Sequence, residues 1–328
     1  MAIAWKRASV GLVAAVLSVA VVGCGGAKQT TNTPAAPAAE EKITKLVVGF
    51  VPSADAAKIS DKVKPMSEFL AKELGLQVET FVGTNFMATV EGMGSKKVDV
   101  AFLNPLSYVM AHGDYEAKIL LKTLRKGADT YRAQLTVRKD SGIPVCDTAK
   151  DATCKATFDA LKGKKLAFVD AASTSGYLFP ASYMKSNGID FKEGAWFTKT
   201  AMTGSHDNAI KQVYNKEADA SWTFEDARDN LVKAGMTDAK DVLVQAAFTT
   251  PIPNDTVTVR KGLPADLEAK IKAAFLKYVA TEEGKKVLTD LYTVDGFKEA
   301  SDADYKVVKD MATNMGVDIK AEISKPAK

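Results

Sequence analysis

The chain has 328 residues, with 44 Lys and Arg against 40 Asp and Glu, a formal net charge of +4, and only 2 His. So even a balance gives no indication of a nucleic-acid partner, and any capture of an anion must come from local geometry. With 3 Cys and 2 His, the latter far from the cysteines in sequence, no metal site and no cofactor is expected.

At the N-terminus, Lys6 and Arg7 precede an uncharged apolar run from Ala8 to Val22, followed by Gly23 and Cys24. The run reads as an export signal, too short and too rich in small residues for a membrane span. Val21-Val22-Gly23-Cys24 resembles a lipobox, whose cysteine is acylated and becomes the first residue of the mature chain. Residues 1–23 are therefore expected to be a signal peptide, Cys24 a lipid anchor, and 24–42 a tether with too few large apolar side chains to bury a core. The expected location is outside the cytoplasm, as a monomer held to the cell membrane through the anchor only. Cys146 and Cys154 then form an even pair in an exported chain, which predicts a disulfide pinning a short polar surface loop.

From Lys45 onward short apolar runs alternate with helical ones. Leu46–Val51 is predicted as a strand, 55–74 as a helix stopped by Gly75, Gln77–Val82 as a strand, Phe86–Gly92 as a helix, and Val98–Leu103 as a buried strand ending at Asn104-Pro105. This βαβαβ order predicts a mostly parallel sheet flanked by helices. A helix at Ser107–His112 and strands at Lys118–Leu124 and Tyr131–Arg138 follow. A second α/β series comprises strands at Leu166–Val169, Asp219–Trp222 and Val242–Ala246, with helices at Gly176–Asn187, His206–Tyr214 and near Asp226–Gly235. The remainder, a strand at Thr256–Arg260 and helices at Ala265–Ala280, Gly284–Tyr292 and Asp302–Met315, has few strands of its own and is expected to return to the first lobe. The fold class is thus α/β in two lobes, each a mixed sheet with flanking helices, joined by two crossings. Lobe 1 is expected at 43–138 and 251–320, lobe 2 at 139–250, with the ligand in the cleft of this hinged clamp.

The most informative run is Asp170-Ala171-Ala172-Ser173-Thr174-Ser175-Gly176-Tyr177-Leu178-Phe179-Pro180. A strand ends and a helix begins within it. Unpaired backbone N–H groups at a helix start, together with three hydroxyls, suit an anion. Ser and Thr also cap helices with no ligand present, so the physics alone leaves both readings open.

This run, together with Gly49–Pro52, Val98–Ala101, Gly204–Ala209, Asp219-Ala220, Pro251–Arg260 and Asp304-Tyr305 in the same order, resembles the phosphate/phosphite/phosphonate-binding proteins of ABC importers. The likeness spans Lys45 to Gly316 and implies a periplasmic-binding-protein fold of type II with a two-strand hinge, working with permease and ATPase subunits. It implies that Ser173, Thr174 and Ser175 hold a phosphorus oxyanion, that His206 contacts it, and that Tyr131 faces it from the crossover. Phe86 stands where a tyrosine is found in members that bind aminophosphonates, which removes one hydroxyl. Asn104, Ser107 and Tyr108 are further candidate donors, with Tyr108 equally readable as helix packing. Asp226 and Asp255 match acids that hold a ligand ammonium, and imply an amino-bearing ligand or a protonated oxyanion. Trp222 is assigned to neither cleft wall nor core.

Three other readings are weighed. A sensor protein would use the same clamp without transport. A thiamine- or pyrimidine-precursor binder would need an aromatic sandwich in place of the hydroxyl-rich turn. A hydrolase with Ser173 or Ser175 as nucleophile and His206 as base lacks the G-x-S-x-G elbow, so no enzyme activity is expected.

Overall fold

The computed structural model describes residues 43–316, and the expected signal, Cys24 and the tether lie outside them. Among the described residues thirteen strands are formed: β1 (Lys45–Phe50), β2 (Gln77–Val82), β3 (Val100–Leu103), β4 (Lys118–Leu124), β5 (Thr130–Tyr131), β6 (Ala133–Arg138), β7 (Lys165–Phe168), β8 (Lys199–Met202), β9 (Ala220–Phe224), β10 (Leu243–Phe248), β11 (Ile252–Pro253), β12 (Thr256–Val259) and β13 (Gly296–Lys298). They make a six-stranded sheet in the order β13-β4-β12-β3-β1-β2 and a five-stranded sheet in the order β10-β6-β9-β7-β8. A two-stranded ribbon, β5 with β11, carries both crossings between the lobes.

The βαβαβ start makes β2, β1 and β3 parallel, and β9, β7 and β8 are parallel in the second sheet. Both sheets become mixed because the chain returns into them. β12 enters antiparallel between β3 and β4, and β6 lies antiparallel between β9 and β10. The expected lobe boundary at 138 is accordingly displaced, since Ala133–Arg138 pairs within the second sheet. One continuous β-like run, Tyr131 to Arg138, changes sheet at Arg132 with no turn residue to mark the change.

Local rules account for the helices. Asp55 caps the helix Ala56–Lys62 by accepting from the Lys58 N–H, and a second helix, Lys64–Leu74, starts one residue later. Pro65 lacks the N–H that would continue the first helix through the junction, which divides the single helix expected there. Gly75, at φ 65°, ends the second in the left-handed region that glycine enters freely.

Leu46, Val48 and Phe50 of β1, with Val100, Phe102, Val257 and Val259 beside them, bury one face of the larger sheet against the helices Lys64–Leu74 and Ala265–Ala280. A second apolar cluster runs from the opposite face, through Phe86, Val90 and Leu106, into the second lobe around Leu135, Phe168 and Trp222. Trp222 is fully buried with its ring 6.2 Å from that of Tyr183, and so belongs to the core. Cys146 and Cys154 are disulfide-bonded, and the Cys146 N–H donates to the Ala246 carbonyl at 2.8 Å, tying the loop to β10. Among the described residues no helix is long and apolar enough to cross a membrane.

Candidate functional site

The hydroxyl run follows β7. Ser173 accepts from the Gly176 N–H at 3.1 Å, and Thr174–Leu178 forms a π-helical turn closed by the Leu178 N–H on the Ser173 carbonyl at 3.1 Å. The ordinary helix begins only at Phe179, later than the sequence pattern predicts. Pro180 has no N–H to offer the Gly176 carbonyl, which accepts instead from the Val169 N–H at 3.2 Å. Strand end and turn are thereby clamped together. A Cβ on Gly176 would lie 2.4 Å from that of Val169, so only glycine permits the approach.

Ser173, Thr174 and Ser175 are all buried, but their roles divide. Ser173 and Ser175 line a cavity between the lobes. Thr174 does not line it: its Oγ1 donates to Asn104 Oδ1 at 2.6 Å and accepts from the Leu106 N–H at 2.8 Å. Asn104 in turn caps the helix Pro105–Tyr115 of the first lobe. Ser107 donates to the Ala172 carbonyl at 3.3 Å, and the His206 N–H donates to the Ser53 carbonyl at 3.1 Å. These bonds fasten the second lobe to the first around the cavity.

His206 opens the helix His206–Tyr214, which Ser205 caps by accepting from the Asn208 N–H. Its Nδ1 accepts from the Phe224 N–H at 3.2 Å, which leaves Nε2 to carry the proton of the neutral ring. Burial, and then the nearby Arg125 charge, push its pKa down to about 3. The imidazole is thus an uncharged donor at neutral pH.

The opposing wall comes from the hinge and the first lobe. Arg125, one residue beyond β4, places Nη2 2.5 Å from Asp255 Oδ2. Its guanidinium lies 4.7 Å from the centre of the Tyr131 ring and 5.8 Å from that of Phe224, within cation–π range of both. Burial raises the Asp255 pKa, and the Arg125 charge opposes that rise. Tyr131 is hydrogen-bonded to Ser175, and burial raises its pKa. Phe86 and Tyr292 complete this side, and the Tyr292 hydroxyl donates to the Val51 carbonyl at 3.3 Å.

Two candidates stand elsewhere. Asp226 does not line the cavity. Its Oδ1 accepts from Arg228 Nη2 at 2.7 Å and from Gln245 Nε2 at 3.1 Å. Tyr108 also stays outside, donating to Asp302 Oδ1 at 3.3 Å with its ring packed edge-on to Tyr305, which is the helix-packing alternative. Sequence reasoning missed Arg125 and Tyr292. The available signal for Arg125 was a charged residue directly after a strand that runs into the core.

The cavity measures about 40 Å³, room for roughly three waters, the scale of one tetrahedral oxyanion head group. Hydroxyl and imidazole donors on one wall face a guanidinium and aromatic rings on the other. Such a lining suits an enclosed anion.

Two α/β lobes on a two-strand hinge, with a small polar cavity between them, define a two-lobe solute-binding protein. The family model for ABC transporter, phosphonate, periplasmic substrate-binding proteins matches residues 48–305, and the chain belongs to this family. It is 28% identical over 279 residues to the phosphonates-binding periplasmic protein of Escherichia coli, covering 84% of this chain and 78% of that one. It is 26% identical over 236 residues to the phosphate-import protein PhnD of Mycolicibacterium smegmatis, covering 70% and 68%. Among solved structures, PhnD1 from Prochlorococcus marinus in complex with methylphosphonate superposes with a TM-score of 0.73 at 20% identity, covering 83% of this chain and 98% of that one. The chain is therefore a substrate-binding protein of an ABC importer of the phosphonate type, acting outside the cytoplasm.

Proposed function

We propose that this protein captures a single phosphorus oxyanion, phosphite, phosphate or a small phosphonate, in the cavity between its lobes and delivers it to permease and ATPase subunits. One observation carries the reading: a cavity of about 40 Å³ is walled by Ser173, Ser175 and His206 on one side and Tyr131 and Arg125 on the other. The two serine hydroxyls and the His206 Nε2–H donate to the oxyanion from the second lobe, and the Tyr131 hydroxyl donates from the hinge. Each is a charge-assisted bond in a buried setting, about 1.5–3 kcal/mol apiece. Thr174 acts differently, drawing Asn104 and the helix it caps over the ligand. Closure is favoured by the ligand because only the closed form offers both walls.

Cys24 holds the exported protein to the membrane by its acyl chains, with 25–42 as tether. A Cys24→Ala chain is expected in the soluble extracytoplasmic fraction, and retention in the detergent phase would count against the anchor.

The decisive test is calorimetry of the purified protein with phosphite, phosphate and methylphosphonate, using sulfate as the control anion. One-to-one binding of at least one phosphorus oxyanion, with a smaller radius of gyration by solution scattering when it is added, is expected. Absence of binding across the panel would refute the reading.

A further inference from the structure

The charges bordering the cavity are few. Among the described residues, Arg125 is the cavity's only cationic lining residue, Asp255, 17% exposed, is the more buried of its two carboxylates, and Asp290 stands at the rim, 41% exposed and paired with Lys286. The His206 imidazole is neutral, and the Lys62 ammonium near the rim is taken up by the Asp290 carbonyl. What a ligand meets beside its oxyanion is thus decided by Arg125 and Asp255.

Arg125 is fixed by three neighbours: the Asp255 carboxylate at 2.5 Å, the Tyr131 face and the Phe224 face. Its Nε is buried and has no hydrogen-bond partner. A guanidinium that lines the cavity suits an anion there, and a carboxylate already bonded to a guanidinium does not call for a second cation. Beyond Arg125 and Tyr131, which both line it as well, lies a second pocket bordered by Lys126 and by Glu225, Asp226 and Asp229, the acids paired with Arg132, Arg228 and Lys240. The guanidinium therefore stands between the oxyanion cavity and a carboxylate-rich pocket.

From this arrangement, and resting on the binding function proposed above, we infer that Arg125 is a specificity residue. It occupies the place of a cationic substituent, so the site takes a bare phosphorus oxyanion or one with a small uncharged substituent and rejects aminoalkylphosphonates. A ligand ammonium reaching Asp255 must displace a guanidinium held on three sides, and then leaves two cations buried side by side. Removing the guanidinium joins the two pockets and leaves Asp255 as the carboxylate that meets the ammonium, since Glu225 and Asp229 are held by Arg132 and Lys240.

Calorimetry with methylphosphonate and 2-aminoethylphosphonate on the full exported chain tests this. The unmodified protein is expected to prefer methylphosphonate by about a hundredfold or more, because like charges forced together in a buried site are strongly disfavoured. In Arg125→Ala the preference should fall to within about tenfold or reverse, and adding Asp255→Asn to that variant should remove the gain for the amino ligand. If Arg125→Ala does not fold, Asp255→Asn alone decides. Freed of its carboxylate, Arg125 should tighten methylphosphonate binding by about tenfold, and unchanged or weaker binding overturns the assignment. Equal affinity of the unmodified protein for both phosphonates overturns it too, while leaving the oxyanion function standing. Failure of both ligands together with phosphite and phosphate would instead remove the function on which the inference rests.

Discussion

The two walls of the cavity are built in opposite ways. The second-lobe wall comes largely from one contiguous turn, Ser173 to Ser175, backed by His206 at the start of a helix, and its donors are uncharged. The hinge-side wall is assembled from three separate stretches of the chain, Arg125 with Tyr131, then Asp255, then Tyr292, and carries a formal charge pair. A wall made by one motif is readable locally. A wall made by convergence depends on strand register, and its charges have found each other before any ligand is considered.

The contrast is broken most severely by removing the contiguous wall. Ser173→Ala combined with Ser175→Ala should cost about 3–6 kcal/mol of binding, two charge-assisted bonds, measured by calorimetry with whichever oxyanion binds. Part of the lost stability, about 1 kcal/mol, will come from the missing cap on Gly176 rather than from the ligand.

His206 supplies the next largest effect. Its folded pKa lies near 3 while an unfolded histidine titrates near 6.5, so the unfolded chain binds the extra proton between those values. Stability is therefore lost as pH falls through that window. Denaturant melts of the protein without added ligand should lose about 2 kcal/mol more between pH 7 and 5 than those of His206→Gln, and equal losses would contradict a buried neutral ring.

Thr174→Val tests the clip. It removes the Thr174 bonds to the Leu106 N–H and to Asn104 and should weaken binding by about 1–2 kcal/mol without touching the ligand. Thr174→Ser should restore most of it. The smallest effect is expected at Asp226→Asn, where affinity should change by less than about 0.5 kcal/mol, because the carboxylate serves Arg228 and Gln245. A large loss there would return Asp226 to the ligand.

Much of the fold was legible. β2, β4 and the helices His206–Tyr214 and Ala265–Ala280 coincide with the residues their patterns predict, because capping residues and apolar periodicity mark both ends. β8 and β13 were not legible. Lys199–Met202 and Gly296–Lys298 are short edge strands whose only reason to be extended is a neighbour distant in sequence. The same limit governs the site. Ser173, Ser175, His206, Tyr131, Phe86 and Asp255 come together at the cavity, whereas Tyr108 and Asp226 are taken by Asp302 and Arg228. Both acids expected to face a ligand cation or proton turned out to have an arginine of this chain as partner, and no local pattern announces such a pairing.

The hinge ribbon also carries a mechanical consequence. Tyr131 is part of it, Asp255 follows two residues after β11, and between them Asn254 donates to the Thr123 and Ala128 carbonyls. Groups on a pivot have a short lever arm, so rotation about this ribbon displaces them little. The half of the site on the pivot is held together by the Arg125–Asp255 pair and the Tyr131 ring. On the proposed function, an anion would find the guanidinium and the tyrosine already in place on this pivot, and closure would bring the serines and His206 to it.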